Sequence, residues 1–123
     1  MSAPTFVIFY VQSPTVSTKF YTDLLGQPPL DASDNFAMFA INPNLMLGLW
    51  ARHDVQPPVT AAPGGVELAF SEADVQAVNL KYESWRAKGL KIAQAPTAMD
   101  FGHTFVALDP DGHRLRVMAQ RSA

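Results

Sequence analysis

The side chains of this chain that could ligate a metal or move a proton are few and scattered. Its three histidines are His53, His103 and His113. None falls on a predicted helix with a second histidine or carboxylate one turn away, the spacing that clamps a divalent ion. His113 belongs to a tight turn, where solvent is its expected neighbour. His103 opens a strand and is a candidate for ligand contact. Asp109-Pro110-Asp111-Gly112 starts like a calcium loop but lacks the third acidic position and the closing glutamate. It reads instead as a hairpin turn, in which Pro110 presets φ, the aspartates bond back to nearby backbone and Gly112 accepts φ > 0. Asp23, Glu72 and Glu83 fall on polar helix faces or ends and are expected to be solvated. The sequence has no nucleophile elbow, His-Glu-x-x-His pair, phosphate loop or dinucleotide fingerprint. It also has no cysteine, which excludes disulfides, thiolate metal sites and a cysteine nucleophile.

Side chains suited to binding are plentiful. Trp50, Phe6, Tyr10, Phe36, Phe101, Met46 and Met118 fall where a period-two count puts them on one side of their strands or at strand ends. Tryptophan offers a wide flat surface with one N–H, suited to stacking on a planar ring. Methionine adapts to irregular shapes. Trp50 closes a strand just before a loop, which favours ligand contact over core packing.

These residues are carried by two similar halves. Residues 52–65 hold three prolines and two glycines and read as a linker. Before it, the expected elements are a strand Phe6 to Val11 and a helix capped by Ser13 with Pro14 at its first position. That helix has the stripe Val16, Phe20 and Leu24 and ends at Gly26. Strands follow near Leu30 to Ser33, Asn35 to Ala40 and Leu45 to Ala51. After the linker come a strand Val66 to Phe70 and a helix capped by Asp74. Its stripe is Val75, Val78, Tyr82 and Trp85, and it ends at Gly89. The last strands are Lys91 to Thr97, Thr104 to Leu108 and Arg114 to Ala119. Each half is β-α-β-β-β, a repeated unit. Alternation puts Val7, Phe9, Val11, Leu45, Leu47, Leu49, Leu68, Phe70, Leu115 and Val117 under the helices. Phe6, Ile8, Tyr10, Met46, Gly48, Trp50, Glu67, Ala69, Arg114, Arg116 and Met118 go to the open faces.

Length and composition fit one α+β domain spanning 1–123, with module 1 about 5–51 and module 2 about 66–120. A net charge of −2 without a basic cluster argues against nucleic acid. The apolar runs are too short to span a membrane, and no basic segment precedes an apolar one at the N-terminus. A cytoplasmic location is the expectation.

The run Phe101-Gly102-His103-Thr104-Phe105 leading into Asp109-Pro110-Asp111-Gly112-His113-Arg114-Leu115-Arg116-Val117 resembles the closing hairpin of the vicinal-oxygen-chelate superfamily, which includes glyoxalases, ring-cleaving dioxygenases and bleomycin-type resistance proteins. With Phe20-Tyr21 and Leu47-Gly48-Leu49-Trp50, the chain looks most like its metal-free, phenazine-type drug-binding members. The resemblance implies the glyoxalase/bleomycin-resistance fold, in which two βαβββ modules build a curved, trough-like sheet. The superfamily's four metal-ligand positions map here to Phe6, Gly48, Glu67 and Arg116. Only Glu67 could bind a metal, and an ion pair between Glu67 and Arg116 is the expected replacement. The implied function is non-catalytic binding of a small planar aromatic or drug-like molecule, with no metal and no cofactor. The implied assembly is a homodimer that holds the ligand between subunits. Trp50 takes the stacking role, and Phe6, Tyr10, Met46, Glu67, Phe101, His103, Arg116 and Met118 complete the expected site. The alternative is a divalent-metal-dependent lyase or dioxygenase of the glyoxalase type.

Overall fold

A computed structural model describes residues 2–121. The chain divides into two compact units, one reaching to Ala61 and one beginning at Ala62. The division falls inside the proline- and glycine-rich linker.

Module 1 contains β1 (Phe6–Val11), α1 (Pro14–Leu25), β2 (Asp31–Ala32), β3 (Phe36–Asn42) and β4 (Leu45–Ala51). Its sheet order is β1-β4-β3-β2, with β1 parallel to β4 and the other pairs antiparallel. Helix α1 starts where its sequence provides a cap: the Ser13 hydroxyl accepts from Val16 N at 3.2 Å, and Pro14 occupies the first turn. It stops at Gly26, whose φ of 70° is a left-handed conformation that glycine adopts without strain.

The helix turns a different face to the sheet than the Val16-Phe20-Leu24 stripe predicted. Pro14, Ser17 and Tyr21 are buried, and Val16 is exposed. Small Ser17 lets the helix lie close to the strands, and Tyr21 packs against Phe39. Burying two such rings contributes about 2–3 kcal/mol each. Phe9, Val11, Ala37, Phe39, Leu47, Leu49 and Ala51 complete this core. After β4 a single 3-10 turn, Arg52–Asp54, leads into the linker, where Val55 is buried.

Module 2 repeats the plan with β5 (Glu67–Ser71), α2 (Val75–Ala87), β6 (Lys91–Met99), β7 (Gly102–Leu108) and β8 (Arg114–Gln120). The order is β5-β8-β7-β6, again with the first pair parallel. Asp74 caps α2 by accepting from Ala77 N at 2.8 Å. Val78 and Trp85 are buried as expected, whereas Val75, in the first turn, stays exposed. Trp85 and Tyr82 meet Phe105 edge-on, and Trp85 also meets Phe70.

The β7–β8 hairpin closes on Asp109, which is buried. Its carboxylate accepts from the backbone N–H groups of Asp111 and His113, both at 2.9 Å. Strand β6 runs two residues beyond the expected end and carries register shifts on both sides of Gln94. It tolerates Pro96 because it is the edge strand. No helix among the described residues is long and apolar enough to cross a membrane.

Candidate functional site

Each sheet has one face under its helix and one face turned away, and the predicted site residues sort cleanly between them. In module 1, cross-strand partners Phe6–Met46, Ile8–Gly48 and Tyr10–Trp50 share the uncovered face. So do Phe36, opposite Trp50, and Met38, opposite Gly48. Trp50 stands between two rings, with Tyr10 edge-on at 6.2 Å and Phe36 edge-on at 6.4 Å between centroids. Gly48 makes this possible. A Cβ there would meet Phe36 Cζ at 2.9 Å and Ile8 Cγ1 at 3.3 Å, so the missing side chain is the space in which the Phe36 ring lies. Phe6, Ile8 and Tyr10 each expose more than a third of their surface. None of the β1, β3 and β4 residues named on this face carries a formal charge; Asp31, the partner of Met38, sits on it at the edge strand β2.

The uncovered face of module 2 is built on charge. Arg116 Nε donates to Glu67 Oε1 at 2.7 Å and Nη2 donates to Oε2 at 3.0 Å, a bidentate pair. The expected pairing of these two residues is therefore present. Arg116 Nη1 also donates to Thr104 Oγ1 at 3.1 Å and to Gln94 Oε1 at 3.3 Å. The Thr104 hydroxyl in turn donates to the Val117 carbonyl at 2.8 Å. Phe101 covers the guanidinium, its ring centroid 5.7 Å from Cζ. With 14% of its side chain exposed, Arg116 is fixed on all sides. Arg114 touches Glu67 Oε2 as well, at 3.1 Å. The hydrogen bond from Arg116 holds the Glu67 carboxyl below the usual carboxylate range. Partial burial opposes that shift, and the charges of Arg116 and Arg114 reinforce it.

Gln94, Thr104 and Arg114 were not among the predicted site residues. Thr104 was visible by parity, since it lies an even number of residues from Val106 and Leu108. Gln94 was not, because only the irregular register of β6 sets it opposite Val106, beside Arg116.

One predicted site residue lies elsewhere. His103 was expected beside the ligand, but β7 begins at Gly102, so His103 shares parity with Phe105 and Ala107 on the helix side. Its Nε2 is 2.9 Å from Asn79 Oδ1 on α2. It borders a groove of about 690 Å³ lined by Asp74, Val75, Met99 and Arg121 among others, on the side of the sheet away from Arg116. Met118 is half-buried on the uncovered face, as expected, opposite Thr104.

The mapped metal positions are equivalent in register. Gly48 lies two residues past Met46, the partner of Phe6, and Arg116 lies two residues past Arg114, the partner of Glu67. This donor set does not fit a divalent ion. Phe6 and Gly48 offer no ligand atoms, Arg116 repels a cation, and both oxygens of Glu67 are engaged by guanidinium groups. Among the described residues no group of three His, Cys, Asp or Glu could hold a metal.

The sequence model of the glyoxalase/bleomycin resistance protein/dioxygenase superfamily matches residues 4–117. The chain belongs to that superfamily. Within the superfamily it is 24% identical over 117 residues to the phenazine antibiotic resistance protein EhpR of Enterobacter agglomerans, a match covering 93% of this chain and 89% of that one. A protein of Agrobacterium tumefaciens with a solution NMR structure is 43% identical, with a TM-score of 0.90 over 99% of this chain and 100% of that one. A glyoxalase-related enzyme from Fulvimarina pelagi, at 21% identity, shares the fold with a TM-score of 0.85 over 98% of this chain and 89% of that one. Resistance proteins and enzymes thus both occur among superfamily members resembling this one.

Proposed function

We propose that this protein binds a small planar aromatic compound of the antibiotic type without transforming it, in a resistance role. The observation that carries this reading is the fate of the four mapped metal positions. Two have become apolar, and the other two have closed on each other as an ion pair. A lyase or dioxygenase of this superfamily would need those positions as ligands for a Lewis acid. In their place module 1 presents Trp50 between Tyr10 and Phe36, with Phe6 and Met46 on the same face. Flat rings stack on such a surface, and the area they bury supplies most of the affinity. The likeness to a phenazine antibiotic resistance protein supports the ligand class. A homodimer goes with this reading, because Phe6, Ile8, Tyr10, Met99 and Phe101 together leave much apolar surface exposed on one chain. A cytoplasmic location goes with it too.

The test is the chemical fate of the ligand. Purified protein is dialysed against phenazine, alone and with added Ni, Zn, Mn or Fe, and the compound is then recovered and analysed by mass spectrometry. Saturable binding with intact phenazine under every condition is expected. Conversion of phenazine, or turnover of the methylglyoxal–glutathione adduct that a chelator abolishes, overturns the reading. Sedimentation at micromolar concentration checks the dimer, and a monomer there removes that part.

A further inference from the structure

The two arginines beside Glu67 differ in how they are held. Arg116 uses four hydrogen bonds from three nitrogens, lies under Phe101 and is nearly buried. Arg114 has one close partner, Glu67 Oε2, and 39% of its side chain is exposed. Its Nε is buried and has no acceptor. A buried N–H left unmet is unfavourable, the more so on a charged group. The present position of Arg114 therefore has little to hold it. Swinging the guanidinium outward gives up one contact and releases Nε, while Glu67 keeps both bonds from Arg116. The charge count points the same way, since one carboxylate faces two guanidinium groups and the cluster retains one positive charge. Leu108, directly across from Arg114 on β7, supplies an apolar edge on the same face.

We propose that Arg114 is the acid-recognising residue of module 2, binding the carboxylate of an aromatic acid through its guanidinium. This deepens the binding reading above and rests on it for the aromatic part of the ligand. A planar carboxylate matches the spacing of two guanidinium N–H groups and takes both at once. The ligand's charge neutralises the excess on the cluster, and its release into water exposes that charge again. The protein is thereby selective for acids over neutral rings of the same shape.

Two measurements test this independently. Equilibrium dialysis compares phenazine-1-carboxylate with its neutral carboxamide on the wild-type protein, Arg114→Gln and Arg114→Lys. The acid is expected to bind the wild type about tenfold more tightly than the amide, the effect of one charge-assisted contact. Arg114→Gln should remove that preference while leaving amide affinity within about twofold, and Arg114→Lys should keep part of it. Thermal melts confirm that both variants are folded. In parallel, NMR of the arginine Nε–H resonances follows added 1-naphthoate, which is expected to shift Arg114 and leave Arg116 in place. Equal binding of acid and amide with a silent Arg114 resonance overturns the inference and leaves the aromatic-binding reading standing. No phenazine binding with a shifted Arg114 resonance does the reverse. Silence in both overturns both.

Discussion

The two sheets have the same strand order, the same parallel first pair and the same two-residue offset between the mapped positions, yet their uncovered faces share almost no chemistry. Module 1 sets Ile8 against Gly48 and fills the space there with the ring of Phe36, which meets Trp50 edge-on. Module 2 sets Glu67 against Arg116 and fills the gap with Gln94, Thr104 and Phe101. The helix-covered faces, in contrast, are alike: Val7 and Phe9 in β1 correspond to Leu68 and Phe70 in β5, and Leu47 and Leu49 in β4 to Leu115 and Val117 in β8. The covered face makes the core and must stay apolar. The uncovered face is under no such demand, so it can diverge, and it is where one module became a stacking surface and the other a polar one.

Removing one partner from the polar face should have the largest effect. Arg116→Met leaves Glu67 partly buried with only Arg114 and strips the acceptors Gln94 and Thr104 of their donor. A loss of about 2–3 kcal/mol in urea unfolding is expected. The double variant Glu67→Gln, Arg116→Met should recover part of it, because no charge is left partly buried at position 67 and the more exposed Arg114 can turn to solvent. A double variant as unstable as the single one would mean that the ion pair is not what holds this face. On the apolar side, Trp50→Ala should weaken binding of planar aromatics by about 1–2 kcal/mol with the fold retained, and unchanged affinity would move the ligand away from module 1. Gly48→Ala sharpens the contrast at a cost of about 1 kcal/mol. The new methyl must displace Phe36, a ring that can swing, and the measurable sign is altered fluorescence of Trp50. An unshifted spectrum would show that Phe36 does not depend on that gap.

The smallest effect is on acid stability. The folded-state pKa of Glu67 lies below its unfolded value, so its pairing contributes stability above about pH 4.5, and that contribution is lost as pH falls through the folded value. Glu67→Gln should therefore be less stable than wild type near neutrality and approach it as pH falls below 4.5 through the lowered folded-state value. A constant gap across that range would assign the loss to packing instead.

The local grammar of the chain was readable because local chemistry decides it. Ser13, Pro14 and Gly26 bound α1, and Asp74 starts α2, through contacts with residues only a few positions away. Strand β4 was located to the residue by its alternation and its flanks. The Glu67–Arg116 pair was visible only through the superfamily's site map, since nothing in the spacing of residues 67 and 116 brings them together. Three features were hidden. The buried face of α1 runs through Ser17, a polar residue that no apolar count selects. Gln94 owes its position to a register shift. His103 was misplaced because β7 starts earlier than expected. Gly102 allows that start, since any Cβ there would collide with the Ala119 carbonyl of β8.

One edge strand of each sheet, β2 in module 1 and β6 in module 2, has a further consequence for how the protein behaves in crowded solution. Strand β2 is two residues long, and β6 is interrupted by two register shifts and Pro96. Neither offers the straight run of backbone groups on which a foreign strand could grow. Sheets that end this way resist templated aggregation at those ends. That protection matters for a protein that keeps so many rings at its surface: they are displayed on faces, where a flat molecule can lie, and none lies on β2.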